Sequence, residues 1–484
     1  MKALLLGVVF GAIVALDPVV TTYLLPDFPW LHRFPYVLSG ATALTACAAL
    51  AALRFLPALA STVIHDYWRY FPPLYLLCFQ FNGIAAGQTL DPTELVTATF
   101  IPLFLAGLLI QRDQRLVATP FNTLHLALAV CLAVSLASEF KPTSFMKSFK
   151  YFVVFFLLVN FLARDNVIPT FVRWLVVLAV PSAALGLLQE FLWLTTQTVI
   201  SPVPAKEIEI MFETHFGVPM FRVGAMMVSY QDLALYLATA LFLALSALLW
   251  RQEAALLRRR WLIVGLLIIC PALFLTFSKP IYIGCCLGLP LLLMLRWPGR
   301  GVATTLAGGL IGALALVTVI AVVPGKVDTA LDAARDVPKS EVERIRLDRD
   351  TIEGFLHGPY FWTGRGINVG YRYTAHSRRW PAHSAFILVA AEIGVVGLAI
   401  YLLIWGLAVA RVVALNIVVT QGPFLFVVRA LPGVLLVMLF QALFQGHYFD
   451  SFIWPMFALI EALWFQVRRQ AVATTEPIAT NGTG

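Results

Sequence analysis

Apolar runs with few or no charges recur along the whole 484-residue chain, separated by short segments carrying Lys, Arg, Pro and Gly. A helix of about 20 apolar residues crosses a bilayer, and it does so because it satisfies its own backbone hydrogen bonds in lipid. The runs predict fourteen spans, near 3–25, 34–54, 71–90, 95–111, 117–138, 149–166, 174–197, 223–249, 261–278, 280–296, 302–323, 384–410, 427–446 and 450–467. The sixth is short and the ninth and tenth abut, so the pattern predicts an all-α polytopic membrane protein of about 12–14 transmembrane helices. Residues 1–469 read as a single membrane domain. The first run follows Met1-Lys2 without a clear small-residue cleavage site, and it reads as an uncleaved helix. Residues 470–484, rich in Ala, Thr and Gly, read as a disordered cytoplasmic tail.

Composition agrees with this pattern. Hydrophobic residues make up 60% of the chain and charged residues 12%, against about 45–50% and about 25% in soluble domains. So little charge cannot cover a soluble surface of this size, which excludes a string of soluble domains and a disordered chain. The six cysteines all lie inside apolar runs, with no CxxC and no metal-ligand spacing, so they read as small buried hydrophobes. The net charge of +8 bears on orientation and anionic lipid rather than nucleic acid. With both termini inside, seventeen Lys and Arg fall on the cytoplasmic side. Seven fall in the short segments of the other side. This bias predicts an N-in, C-in multi-pass protein.

Two segments on the non-cytoplasmic side are polar. One is 198–222; the other, 324–383, is the only long polar stretch. Residues 344–383 carry Arg344, Arg346, Arg349, Arg365, Arg372, Arg378 and Arg379 against Asp348, Asp350 and Glu353. That surplus of cations, on the side where positive charge is disfavoured, points to an anionic ligand. Ionisable residues within the runs are functional candidates by their cost in lipid: Asp17, Glu190, Asp232, Lys279, Glu392 and Glu461. Glu461 lies near a cytoplasmic helix end and reads as a snorkelling or paired group; Asp17 and Glu190 are candidates to pair. Arg222 and Lys279 stand at non-cytoplasmic mouths of spans, able to converge with the loop arginines on one anionic group. His383 begins the span after the long loop, and His376 lies seven residues earlier. A neutral histidine there is either a base for an attacking hydroxyl or an interfacial cap. His65-Asp66 reads as interfacial. Gly364-Arg365-Gly366 lacks the spacing and strand context of a phosphate cradle, and the chain has no Walker A and no HExxH sequence.

Three stretches together resemble the O-antigen ligase and polymerase superfamily. Phe221-Arg222-Val223-Gly224-Ala225 followed by Asp232-Leu233-Ala234-Leu235-Tyr236-Leu237 is similar to its Arg-x-x-Gly segment and following helix. Leu275-Thr276-Phe277-Ser278-Lys279 is similar to its Leu-Thr-x-Ser-Arg segment. Glu343-Arg344, Gly358-Pro359, Gly364-Arg365-Gly366, Ala382-His383-Ser384-Ala385-Phe386-Ile387 and Ala391-Glu392-Ile393-Gly394-Val395-Val396-Gly397-Leu398 follow the order of its last motifs. Departures are Ser384 in place of Asn, Lys279 in place of Arg, two extra residues between Pro359 and Gly364, and more spans than the usual twelve.

The resemblance implies a GT-C-like membrane glycosyltransferase of the bacterial inner membrane, with its active site and long loop facing the periplasm. It implies transfer of a glycan from an undecaprenyl-diphosphate carrier to an acceptor such as lipid A–core, inverting and without cofactor or metal. In this reading Arg222, Lys279 and Arg344 or Arg346 bind the diphosphate, and His383 orients or deprotonates the acceptor hydroxyl. Asp232, His376 and Glu392 are supporting candidates. Ligase and O-antigen or exopolysaccharide polymerase remain open as subtypes. A secondary transporter or flippase, using Asp232, Lys279 and Glu392 as a coupling path, is the alternative of another class.

Overall fold

The computed structural model describes residues 57–81, 92–110, 116–135, 142–164, 167–196, 212–215, 218–227, 229–252, 256–297, 339–367, 382–445 and 452–475. The first two predicted spans, the span at 302–323, Asp17, Cys47 and His376 lie outside them. The chain is an all-α polytopic membrane protein, with one short hairpin besides its helices.

The helices are α1 Pro57–Gln80, α2 Pro92–Ile110, α3 Pro120–Ser135, α4 Pro142–Leu162, α5 Val167–Thr196, α6 Tyr230–Leu249, α7 Arg259–Leu275, α8 Lys279–Arg296, α9 Lys339–Leu356, α10 Ala385–Val418, α11 Leu425–Phe444 and α12 Ile453–Thr475. Antiparallel strands β1 Phe212–His215 and β2 Val218–Phe221 lead into Arg222. Among the described residues, five helices (α5, α6, α8, α10 and α11) are long and apolar enough to cross a membrane. Proline opens α1 to α4, where its missing N–H and fixed φ cost nothing.

Boundaries differ from the predicted ones in several places, among them the starts of α4 and α5 and the end of α10. The helix expected over 71–90 starts at Pro57 and ends at Gln80, because charged Asp66 and Arg69 sit within it rather than before it. The span expected from 223 starts at Tyr230, since residues 222–227 form an irregular turn. The polar stretch 324–383 holds the helix α9. Helix α12 continues to Thr475, so residues 470–475 are helical rather than part of a tail.

Helix directions follow from contacts along the bundle. On α8 a Cβ at Gly284 would lie 2.7 Å from the Val437 Cα, and one at Gly288 would lie 3.0 Å from the Gly433 Cα. Helices α8 and α11 are therefore antiparallel and touch backbone to backbone, as small residues four apart allow in lipid. Phe242 of α6 fills the same junction, 2.6 Å from that Gly288 Cβ. The Ser246 hydroxyl, near the end of α6, donates to the Phe426 carbonyl at the start of α11 (2.6 Å). Helix α6 is thus antiparallel to α11 as well. Helices α10 and α11 form a hairpin: Arg429 Nη1 donates to the Asn416 carbonyl (2.9 Å), and Asn416 Nδ2 donates to the Val428 carbonyl (3.0 Å). It follows that α6, α8 and α10 all begin at the bundle end where α11 finishes. Arg222, Lys279 and His383 precede or open those three helices.

The largest irregularity is in α10. Gly394 has φ 85 and ψ 174, and the helix breaks there. Amides freed in a membrane helix must find other partners. The segment before α10 supplies them. Arg365 N–H donates to the Ala391 carbonyl (3.0 Å) and Gly366 N–H to the Glu392 carbonyl (3.0 Å). Val395 N–H donates to the Phe361 carbonyl (2.9 Å). The fit requires glycine on both sides. A Cβ at Gly394 would lie 2.2 Å from the Trp362 carbonyl oxygen, and one at Gly364 would lie 2.2 Å from the Glu392 carbonyl oxygen.

Gly394→Ala adds a steric clash to a backbone region that is nearly glycine-only and costs about 1–3 kcal/mol by itself. A clear fall in the melting temperature of the purified protein is expected. Gly406→Ala, on the same helix with open space around its Cβ, is expected to leave it unchanged. Equal melting of both variants with wild type would contradict the lock described here.

Candidate active site

The first group of site residues forms around the turn after β2. Arg222 is buried at 8% exposure. Its Nη1 donates to the Tyr230 hydroxyl (2.6 Å), and its guanidinium lies over the Tyr230 ring at 4.5 Å. Tyr230 therefore holds the cation by a hydrogen bond and by its ring face. The turn itself is clamped by α5. Gln189 Nε2 donates to the Ala225 carbonyl (2.9 Å), and the Ala225 N–H donates to Gln189 Oε1 (2.9 Å). That pair fixes Ala225 at φ 51, a left-handed conformation that a side-chain-bearing residue adopts only under constraint.

Val223 N–H donates to the Leu275 carbonyl at the end of α7 (3.3 Å). This bond joins the Arg222 turn to Thr276-Phe277-Ser278-Lys279. Phe277 is also left-handed (φ 50), and Lys279 opens α8, exposed. Ser278, at the N-cap position, makes no side-chain cap. Its hydroxyl is buried without a hydrogen-bond partner among the described residues. The Tyr282 phenol, one turn into α8, lies within electrostatic reach of Arg222. The structure thus brings Arg222 and Lys279 to one place. Asp232 lies in the first turn of α6, where its N–H donates to the Ser229 hydroxyl (3.0 Å) in an N-cap.

The second group forms where α9 meets α10. Asp348 Oδ1 accepts the His383 backbone N–H (2.7 Å). His383 is partly buried, one residue before Ser384, which caps α10 without a side-chain bond. Helix α9 turns Leu347, Thr351 and Phe355 inward and leaves Arg346 and Arg349 exposed. Phe355 stacks on Phe361 at 5.1 Å, continuing into the segment that docks at Gly394. Arg349 pairs with Glu353 (2.7 Å), and that hydrogen bond holds its pKa above the ordinary arginine value. Arg365 lies 5.9 Å over the Tyr360 ring. These two loop cations have partners within the chain, which narrows the charge surplus read from the sequence.

Helix α9 carries Arg344, of whose side chain nothing is described; Arg372, Arg378 and Arg379 lie outside the described residues. Glu392 is buried beside the break, where its carbonyl receives Gly366. Glu190 is buried next to Gln189, and its Oε2 has no hydrogen-bond partner among the described residues. Glu461 pairs with Arg411 (3.4 Å), one of the two expected outcomes, although it lies in the interior of α12 rather than near its end. Among the described residues, no three His, Cys, Asp or Glu side chains gather as a metal-ion group.

Sequence reading missed Tyr230 and Gln189, and it counted Asp348 only as a charge. A polar residue within an apolar run, one position from the suspect Glu190, was the available signal for Gln189. Tyr230 carried none beyond opening the helix after Arg222.

A bundle whose broken helix is docked by the segment before it, with Arg222 and Lys279 at one end, defines a multi-pass membrane protein. Residues 264–402 match the family model described as O-antigen ligase, which supports the O-antigen ligase and polymerase superfamily for this chain. The match includes Lys279, Arg344, Arg346, His383 and both sides of the Gly394 break; Arg222 lies before it. No curated protein matches the chain.

Gln189→Leu leaves the buried Ala225 N–H and carbonyl without partners, at about 1–3 kcal/mol for each group. A lower melting temperature is expected, along with faster proteolysis within 222–229. Wild-type behaviour in both assays would show that the clamp does not hold the Arg222 turn.

Proposed function

We propose that the protein is a membrane glycosyltransferase of the O-antigen ligase type, moving a glycan from an undecaprenyl-diphosphate carrier to an acceptor hydroxyl, with lipid A–core as the leading acceptor. The family match over 264–402 carries this reading. The gathering of Arg222 and Lys279, with α10 and His383 beginning at the same bundle end, supports it.

The chemistry suits those groups. The acceptor oxygen attacks sugar C1 while the C1–O bond to the diphosphate breaks. The diphosphate departs with the bonding electrons. Negative charge grows on the leaving oxygen, and fixed cations aimed there lower the barrier. Arg222, pre-oriented by Tyr230, and Lys279 take that role, joined by Arg344 or Arg346 from α9. The acceptor proton leaves towards His383, whose backbone is held by Asp348. Attack opposite the leaving group inverts the anomeric centre. The mouth in this reading faces the periplasm of the inner membrane.

A polymerase, which adds one more lipid-linked repeat, uses the same donor chemistry. It is the second reading because the family model spans both activities' common segment. Deleting the gene in its host and complementing with wild type or His383→Ala separates the cases. Long polymer retained on the carrier with a bare acceptor is expected for the ligase. Single repeats on the acceptor would mean a polymerase. An unchanged glycan profile would remove the transferase reading and favour a transporter. Arg222→Ala is expected to lower activity at least about 100-fold, as loss of a charge-stabilising donor does, with protein abundance retained.

A further inference from the structure

At the opposite end of the bundle, a cleft of about 1060 Å³ is lined by Arg173, Arg251, Leu256, Leu257, Arg258, Arg259 and Trp261. Arg173 comes from the first turns of α5, and the others from the α6–α7 connection and the start of α7. We propose that this cleft binds a phosphate-bearing anion, either the headgroup of an anionic phospholipid or a soluble phosphate ester. The proposal does not depend on the transferase reading.

Four observations carry it. Four exposed arginines from two separate parts of the chain line one open cleft, whose described lining includes no carboxylate. Glu253, in the same connection, lies outside the described residues; counted against the arginines, it still leaves a cationic surplus. Guanidinium forks match phosphate oxygens bidentately.

Second, the backbone that presents Arg251 is pinned. It has φ 56, in the left-handed region. The turn is pinned by Gln252, whose N–H donates to the Ala247 carbonyl (2.9 Å). The Gln252 side chain donates to the Gly422 carbonyl (2.8 Å) and accepts the Phe426 N–H (3.2 Å). The backbone that carries this exposed cation is thus tied to both α6 and α11.

Third, α7 starts here with no side-chain cap on its first turn, at the N-cap Arg258. The positive end of the helix thus adds to the arginine charge.

Fourth, the cleft opens onto an apolar strip. Leu256 forms a buried floor, while Trp261, Val264 and Leu267 stand exposed along α7 at 55, 43 and 70%. A headgroup among the arginines would let an acyl chain follow this strip, with Trp261 at the interface. The strip favours the lipid as the source of the phosphate.

The test uses the full-length protein in a zwitterionic detergent. Phosphatidylglycerol, phosphatidylcholine and inorganic pyrophosphate are titrated separately, and bound lipid is counted by native mass spectrometry beside melting curves. Phosphatidylglycerol is expected to bind at least ten-fold more tightly than phosphatidylcholine, and to weaken with added salt. Arg258→Gln with Arg259→Gln should lose that preference; Arg258→Lys with Arg259→Lys should keep most of it. Arg173→Gln, on a different helix, reports on the same cleft should the double variant not fold. Pyrophosphate binding that the Gln variants abolish, without lipid preference, would assign the site to a soluble phosphate. Equal binding of both lipids with no pyrophosphate binding, or an unaltered preference in folded Gln variants, would overturn the proposal.

Discussion

Every backbone amide inside a bilayer needs a partner from the protein itself, and the break at Gly394 sets the shape of this molecule's working end. A straight helix would pair the carbonyls of Ala391 and Glu392 with its own later amides. The break hands those carbonyls to Arg365 and Gly366, and hands the Val395 amide to Phe361. One segment of the long polar stretch is thereby tied to the membrane helix by three backbone bonds, about the most dependable interactions available where water is scarce. Helix α9 is carried along through Phe355, which stacks on Phe361. Asp348 then reaches the His383 amide. Geometry at the mouth is inherited from a hydrogen-bond constraint deeper in the helix.

This constraint gives physical meaning to two short sequence motifs. Gly364-Arg365-Gly366 resembles a phosphate loop only while its amides are assumed to be free. They are spent: the Gly364 N–H on the Tyr360 carbonyl, and those of Arg365 and Gly366 on carbonyls of α10. Gly364 and Gly394 are each needed because the other's backbone stands where a Cβ would go. The Gly-x-Gly and Glu-x-Gly-x-x-Gly stretches are therefore two halves of one joint. A similar closeness, made by Gly284, Gly288 and Gly433, sets α8 against α11 and brings the start of α8 to the same end.

The membrane class was legible because hydropathy is summed over twenty residues and survives local errors. Helix ends were less legible, because charge was taken to mark them. Asp66 and Arg69 lie within α1, and Pro57 was the better sign of its start. For the candidate site, ionisable residues within apolar runs or at their mouths singled out Arg222, Lys279 and His383, since charge near lipid is costly enough to stand out. Their holders did not stand out. Gln189 and Tyr230 are uncharged, and the bonds they make cross from one helix to another or run from a turn to the helix after it. Such contacts depend on how elements pack, which hydropathy does not encode. Likewise the pairing of Arg349 with Glu353 was hidden in a charge count that treated every loop arginine as available.

Helix ends also bear on why the mouth suits an anion. Stability alone places acids at helix N-termini and bases at C-termini. Helix α6 follows that rule, with Ser229 as cap and Asp232 in its first turn. Helix α8 departs from it: Lys279 stands in the first turn, no acid accompanies it, and Ser278 provides no side-chain cap. Helix α10 begins at the same end with an equally uncapped Ser384 and no acid in its first turn. Two helix N-termini, an exposed lysine and the buried Arg222 thus stand at one bundle end, with Asp232 and Asp348 as the acids beside them. In the proposed transfer, a diphosphate that gains charge as its bond to sugar breaks would be stabilised by these cations more in leaving than in binding, which is the difference on which catalysis depends.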